Sequence, residues 1–276
     1  MKINAVFEIM RPKQWVKSAF VFAPYIFSLK FNDFVALKNS AIAAVSFIFI
    51  SSAVYIFNDF MDLKEDKKHP VKKHRPIPSG RISTKTATFI MTVLLILGYT
   101  TTLLLPKECF LVVFIYLAMN IAYSRGLKDF AIIDVLIIAS GFVLRILMGG
   151  YAIQVYVSPW LILATFLLAL FLAFGKRRYE LSLKTKNETR QSLRGYNEAM
   201  IDKMINVSCA SALIFYVIYA IEVVRNTGKQ ELIYTVIFVV FGLFRYNFWK
   251  FYRSVSKQPC LTSSCWCASC SNKNTG

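Results

Sequence analysis

A chain of 276 residues that is 56% hydrophobic and carries 24 Phe lacks the polar surface that a soluble domain of its length requires. Its 33 Lys and Arg against 15 Asp and Glu give a formal net charge of +18. Because the apolar residues lie in long runs, that excess reads as basic loops retained on one side of a bilayer and drawn to anionic lipid, with no nucleic-acid partner.

In chain order, residues 1–10 are mixed in polarity and show no small-residue cleavage pattern, so no cleavable signal is expected. Eight apolar segments follow, at about 17–29, 35–57, 85–105, 110–123, 131–155, 160–175, 203–224 and 232–251. Each approaches, with its flanks, the ~20 residues that cross a hydrocarbon core. An open sheet edge in lipid would leave backbone groups unsatisfied, so helices are expected throughout. The first and fourth segments are short, and Pro24 marks the first as kinked or interfacial. The fold expected is all-α: a multi-pass transmembrane helical bundle forming one domain over residues 1–251. Residues 252–276 read as a polar, unstructured tail.

Charge alternates from loop to loop. Arg11, Lys13 and Lys17 precede the first span. The connection after the second carries Lys64, Lys67, Lys68, Lys72, Lys73, Arg75, Arg81 and Lys85. Arg125 and Lys128 follow the fourth, and a run from Lys176 to Arg194 follows the sixth. The intervening connections are nearly bare, which places both termini and every basic loop in the cytosol, with the plasma membrane as the expected location. A transporter more often sets its polar site near the midplane. A charged cytosolic rim suits an enzyme that takes a soluble substrate from the cytosol and a lipid from the bilayer.

The second span runs directly into Asn58, Asp59, Asp62 and Asp66. At ~100° per residue these four fall within about 100° of one helical face. Such a cluster repels itself unless a cation joins it, and hard oxygen ligands suit Mg²⁺, which completes its shell with phosphate oxygens. The bland alternative is a solvated acidic helix end neutralised by Lys64, Lys67 and Lys68. Next comes a loop fixed by Pro70, Pro76 and Pro78, in which Lys72, Lys73 and Arg75 are placed to bind phosphate oxygens. His69 and His74 lack further ligands for a transition metal.

The run Asn58-Asp59-x-x-Asp62-x-x-x-Asp66, followed by Arg75-Pro76-Ile77-Pro78-Ser79-Gly80, resembles the first aspartate motif of the UbiA-type transferase superfamily. The resemblance implies a helical membrane enzyme that activates a diphosphate through Mg²⁺ held on Asn58, Asp59, Asp62 and Asp66. Tyr123-Ser124-x-x-Leu127-Lys128 is similar to that superfamily's second connection, where Tyr123, Ser124 and Lys128 offer hydroxyls and a charge to phosphate. Taken alone it is an interfacial Tyr with a snorkelling Lys. Asp134, Gly141 and Arg145 form a stripe at i, i+7, i+11, drifting ~20° per step, so Arg145 lies roughly 16 Å along the helix from Asp134. An Arg at that depth faces a polar cavity or a structural partner.

Prenyl-transferring members of the superfamily place a second aspartate-rich motif after the sixth span. Here that position reads Gly175-Lys176-Arg177-Arg178-Tyr179-Glu180, three cations and one carboxylate. The combination resembles the decaprenyl-phosphate phosphoribosyltransferase branch, over residues 10–246 and including Arg11–Lys17, Gly141–Arg145 and Ser192-Leu193-x-x-Tyr196. It implies 5-phosphoribosyl diphosphate as donor and a polyprenyl phosphate as acceptor, in the making of a cell-wall precursor. Asp62 and Asp66 would serve catalysis through the metal, and Asp134 would face the oxocarbenium-like ribose. Lys17, Lys72, Lys73, Arg75, Lys128, Arg145, Lys176, Arg177 and Glu180 would line the substrate, and a homo-oligomer is compatible. The alternatives are an isoprenyl transfer to an aromatic acceptor, or a non-enzymatic lipid-phosphate transporter. The branch usually closes with a ninth span; here Cys260, Cys265, Cys267 and Cys270 follow, without a His to make a zinc knuckle.

Overall fold

The computed structural model describes residues 3–68, 71–182, 191–228 and 230–255, and no strand occurs among them. The tail cysteines and His69 lie outside the described residues. Ten α-helices follow in order: α1 Ile3–Ile9, α2 Ala23–Phe27, α3 Phe34–Met61, α4 Leu63–Lys68, α5 Thr84–Thr102, α6 Lys107–Ser124, α7 Ile133–Ala152, α8 Pro159–Ser182, α9 Glu198–Thr227 and α10 Glu231–Val255. Short 3-10 segments occupy Pro12–Phe22, Lys72–His74, Leu127–Asp129 and Gln191–Gly195. Helix starts follow side-chain chemistry. Asp33 accepts the Ala36 N–H at 2.9 Å to cap α3, and Ser83 accepts from Thr86 at 3.1 Å to cap α5. Proline opens α8, where its missing N–H costs nothing.

Six helices are long and apolar enough to cross a membrane: α3, α6, α7, α8, α9 and the segment Glu231–Phe248 of α10. Two of the eight expected spans differ. The first is a 3-10 segment followed by the five-residue α2, because Pro12 and Pro24 each remove a helical donor. The third is the 19-residue α5, whose threonines dilute its hydropathy. Thr88, Thr92, Thr100, Thr101 and Thr102 each return their hydroxyl to a carbonyl four residues back, at 2.7–3.1 Å, and so remain satisfied within the helix.

The chain divides into two compact units, Met1–Glu222 and Val223–Gly276. In the first, α3 is the central element. It packs against α5, α6, α7 and the Pro12–Phe22 segment around Phe47, Ile50, Val113, Tyr116 and Met148. Trp15 pins that segment to α3 through its indole N–H on Ser52 Oγ at 3.1 Å. Close approach depends on glycine in two places. A Cβ on Gly98 would stand 2.5 Å from Ile50 Cδ1, and one on Gly149 would stand 1.9 Å from the Val21 carbonyl oxygen. In the second unit, α10 exposes Ile237, Phe238, Phe241, Phe244 and Phe248, as a lipid-facing helix does.

The Val21 carbonyl belongs to backbone and has little room to move, so Gly149→Ala is expected to destabilise by about 1–3 kcal/mol, the range for overpacking. Gly242→Ala in α10, where a methyl meets open space, serves as the neutral comparison. Thermal unfolding in detergent distinguishes them; equal midpoints would contradict the close packing of the 3-10 segment on α7.

Candidate active site

The motif residues gather at one end of the bundle. The last turn of α3 presents Asn58 and Asp59; Asp62 then breaks the helix at φ −91°, ψ 3°, and α4 restarts to carry Asp66. Asp62's carbonyl still accepts the N–H groups of Glu65 and Asp66, at 3.0 and 2.8 Å. The four oxygen-bearing side chains therefore line a bend rather than one continuous helical face, a correction to the expected geometry. The cause is local: Asp62 leaves helical backbone and α4 starts afresh at Leu63.

Each acid meets a cation from another element. Arg75 Nη1 bridges Asp59 Oδ1 at 3.1 Å and Asp66 Oδ2 at 2.6 Å. Arg11 pairs with Asp59, Lys128 pairs with Asp62, and Lys72 Nζ lies 3.6 Å from Asp66. The hydroxyl of Ser124 bonds the Asn58 side-chain oxygen. Burial works against the Lys128 charge, but the hydrogen bond and charge of Asp62, with Glu65 and Asp129, outweigh it and raise its pKa. The connections after α4, after α6 and at the N-terminal 3-10 segment thus converge on Asn58–Asp66. Lys64, Lys67 and Lys68, the local partners first considered, form no ion pair with these acids.

Among the described residues no three His, Cys, Asp or Glu side chains converge into a ready metal site. The donor set nonetheless fits Mg²⁺, which typically takes one or two carboxylates and finishes its shell with substrate phosphate. Asn58, Asp62 and Asp66 are the residues that would supply those oxygens. The cations on Asp62 and Asp66 are Lys128, Lys72 and Arg75.

A second cluster joins α7, α8 and the Gln191–Gly195 segment. Asp134 is 0% exposed and both its oxygens are engaged. Arg177 Nε donates to Oδ2 at 2.7 Å, Ser192 Oγ to Oδ2 at 3.3 Å, and Tyr196 Oη to Oδ1 at 3.1 Å. Arg177, itself 2% exposed, also holds Glu180 at 2.6 Å. Burial and the nearby Asp134 push the Tyr196 hydroxyl up to about 12, so it keeps its proton and donates it. That hydroxyl accepts the N–H of Ile132 at 2.6 Å, where a β-branched residue stands at φ 70°. Two expectations change here. Asp134 is closed in rather than open to a sugar ring, and Arg177 is committed to carboxylates rather than free for phosphate. Desolvation explains both, since neither group could be buried without the other.

A third group of cations includes Arg145 and Lys17, neither of which has an ion pair among the described residues. Arg145 is 4% exposed, donates to the Gly141 carbonyl at 2.7 Å and to Tyr116 Oη at 3.3 Å, and sits over the rings of Phe47, Tyr116 and Phe142. Its Nε has no partner. Burial, then the charges of Arg145, Lys176 and Arg11, lower the Lys17 pKa to about 8. Lys176 lies at the exposed edge, 4.0 Å from Glu180. Tyr123 is half-buried on the last turn of α6, and Lys73 is exposed. A cavity of about 370 Å³ lies at the opposite end, bordered by Lys30, Asp33, Asn39, Pro106 and Gln154 and by none of the motif residues.

A model of the UbiA prenyltransferase family matches residues 19–268. The chain belongs to that family. It is 31% identical over 226 residues to a decaprenyl-phosphate phosphoribosyltransferase of Mycobacterium tuberculosis, covering 80% of this chain and 75% of the relative. An enzyme of the same name from Corynebacterium glutamicum is 29% identical, with 87% and 74% covered. The fold matches a UbiA homolog from Archaeoglobus fulgidus bound to GPP and Mg²⁺, at a TM-score of 0.73 and 18% identity, over 88% of this chain and 86% of that one. The protein is thus an all-α, multi-pass membrane member of a transferase family.

Arg11, Ser192 and Tyr196 had no individual role in the sequence reading. Arg11 precedes a proline in a basic stretch and reads as topogenic, while Ser192 and Tyr196 lie more than 50 positions from the Asp134 they hold. For Lys17, a pKa lowered from 10.5 to about 8 means that its charge destabilises the empty protein below pH 8, and that this cost fades between 8 and 10.5. Lys17→Met is therefore expected to raise the unfolding midpoint, by roughly 2–4 °C per kcal/mol relieved, at pH 7, with the gain vanishing toward pH 10.5. A pH-independent difference would contradict the repulsion.

Proposed function

We propose that this chain transfers the 5-phosphoribosyl group of 5-phosphoribosyl diphosphate to a polyprenyl phosphate at the cytosolic face of the plasma membrane. The carrying observation is the split of charge at one rim. An acid-lined bend with four matched cations suits one metal-bound diphosphate, while the end of α8 carries basic residues in place of a second acidic motif, Lys176 exposed at the edge and Arg177 held on Asp134 and Glu180. The names of the mycobacterial and corynebacterial relatives support the same reading.

Asn58, Asp62 and Asp66, with Asp59 in support, would hold Mg²⁺, which when bound supplies charge neutralisation to a departing diphosphate. Lys72, Lys73, Arg75 and Lys128 share that charge as they leave their carboxylates, with Tyr123 and Ser124 adding hydroxyls. The bond from the anomeric carbon to diphosphate breaks, and the acceptor's phosphate oxygen forms the new bond from the opposite side, giving inversion. That oxygen is already anionic, so no strong general base is required. Asp134 acts at a distance: with Arg177, Ser192 and Tyr196 it fixes the start of α7 and the connection bearing Lys128. The alternate basic loops support cytosolic termini.

Asp62→Asn removes one ligand and the partner of Lys128 at a half-buried position, without touching the core. Turnover of the ribosyl donor is expected to fall at least ~100-fold while extraction yield and unfolding midpoint hold. Retained turnover, or turnover unaffected by EDTA, would contradict the metal-bound diphosphate.

A further inference from the structure

The connection from α6 to α7 carries Lys128 and ends in an unfavourable backbone conformation. Ile132 stands at φ 70°, ψ −50°, and the Ile133 N–H donates to the Ala131 carbonyl at 2.8 Å. A hydrogen bond closed across one residue at positive φ makes a γ-turn of the rare, strained hand, and a β-branched side chain suits it badly. Such a conformation persists only where its surroundings over-determine it. Here the restraint comes from 64 positions away. The buried Tyr196 hydroxyl accepts the Ile132 N–H at 2.6 Å and donates to Asp134 Oδ1 at 3.1 Å, so one oxygen spans the turn. The Tyr196 ring meets Phe174 edge-on at 6.4 Å, and a Cβ on the preceding Gly195 would stand 2.9 Å from Ala131 Cβ. Asp129, Phe130 and Ala131 separate the turn from Lys128. Hydrogen bonds from Asp129 to Gly126 and from Phe130 to Leu127, at 3.0 and 3.4 Å, leave that stretch little slack.

We propose that Tyr196 is a positioning residue: by clamping the strained turn at Ile132 it sets where Lys128 stands against the acid-lined bend. Tyr196 touches neither metal nor substrate in this role. Without its hydroxyl the Ile132 N–H loses its acceptor, and Ile132 is free to return to negative φ. That rotation displaces the chain on the Lys128 side, because the other side is fixed as helix α7. The Lys128 ammonium then leaves its place beside Asp62, from which its charge-assisted bonds to a diphosphate would be made. Lys128 has that part in the proposed phosphoribosyl transfer, on which the purpose of the clamp rests. Two consequences separate the clamp from plain support of α7 and α8 through Asp134. Loss of the hydroxyl matters only while Lys128 is present. It also matters only while residue 132 carries a side chain that resists positive φ, a resistance that glycine lacks.

The test is a pair of double-mutant cycles on the purified full chain in nanodiscs, read by calorimetry as affinity for inorganic pyrophosphate with Mg²⁺. Tyr196→Phe keeps the ring and is expected to weaken binding about tenfold, as is Lys128→Met. Added to Lys128→Met, Tyr196→Phe is expected to cost no more than about twofold, far from additive. In the Ile132→Gly background, proteins with Tyr and with Phe at 196 are expected to bind alike. If Tyr196→Phe alone does not fold, a folded and binding Ile132→Gly/Tyr196→Phe protein supports the clamp, and failure of that pair to fold overturns it. Equal losses from Tyr196→Phe in every background overturn it too, as does an affinity that Tyr196→Phe or Lys128→Met leaves unchanged. A wild-type chain that binds no pyrophosphate overturns the clamp together with the site it serves. Turnover of the ribosyl donor alongside additive losses would defeat the clamp alone. Non-additive, glycine-rescued binding without that turnover would defeat the proposed reaction alone.

Discussion

A carboxylate held out of water at the edge of hydrocarbon must stand against a cation, and the rim of this bundle is organised by that requirement. Asp59 and Asp66 are both buried, and a single guanidinium, Arg75, bridges them. That bridge ties the proline-fixed loop back to the end of α3. Arg11 reaches the same Asp59 from the N-terminal 3-10 segment, and Lys128 reaches Asp62 from the connection before α7. Three stretches distant in sequence are thereby held around one bend. The same rule governs the neighbouring cluster, where Asp134 draws in Arg177, Ser192 and Tyr196. In the proposed reaction both sets have a use, one as exchangeable pairs and one as a fixed frame.

The rule has a counterpart in Arg145 and Lys17, where positive charge is buried without an acid. Such burial lowers the stability of the fold, the pattern expected where function is set against stability. Ion-paired cations such as Arg75 and Arg177, and the buried Arg145 without an acid, thus stand in different electrostatic surroundings. Composition alone could not make that distinction, since both appear in the sequence only as Lys and Arg.

Much of the molecule was legible in advance for identifiable reasons. Long apolar runs leave few alternatives to membrane helices, and the spacing of Asn58, Asp62 and Asp66 carries the family likeness that the match over residues 19–268 bears out. The bend at Asp62 was not legible, because helical periodicity continues through Leu63–Lys68 on either reading. Pro24 announced a disturbance, yet not a 3-10 segment of 11 residues ahead of it. The closing of Asp134 by Tyr196 depends on a contact 62 positions away, which no local pattern encodes. The role of Arg177 was misjudged for the same reason: a basic run at a helix end reads as open to phosphate until its partners are known.

The central claim is the identity of the donor, and one measurement bears on it most directly. Purified protein in lipid with Mg²⁺ is given 5-phosphoribosyl diphosphate, with and without a polyprenyl phosphate, and in parallel an isoprenyl diphosphate with an aromatic acceptor. Diphosphate release is followed in each. The expected result is release from the ribosyl donor only when the polyprenyl phosphate is present. Release from the isoprenyl diphosphate with the aromatic acceptor, and none from the ribosyl donor, would contradict it.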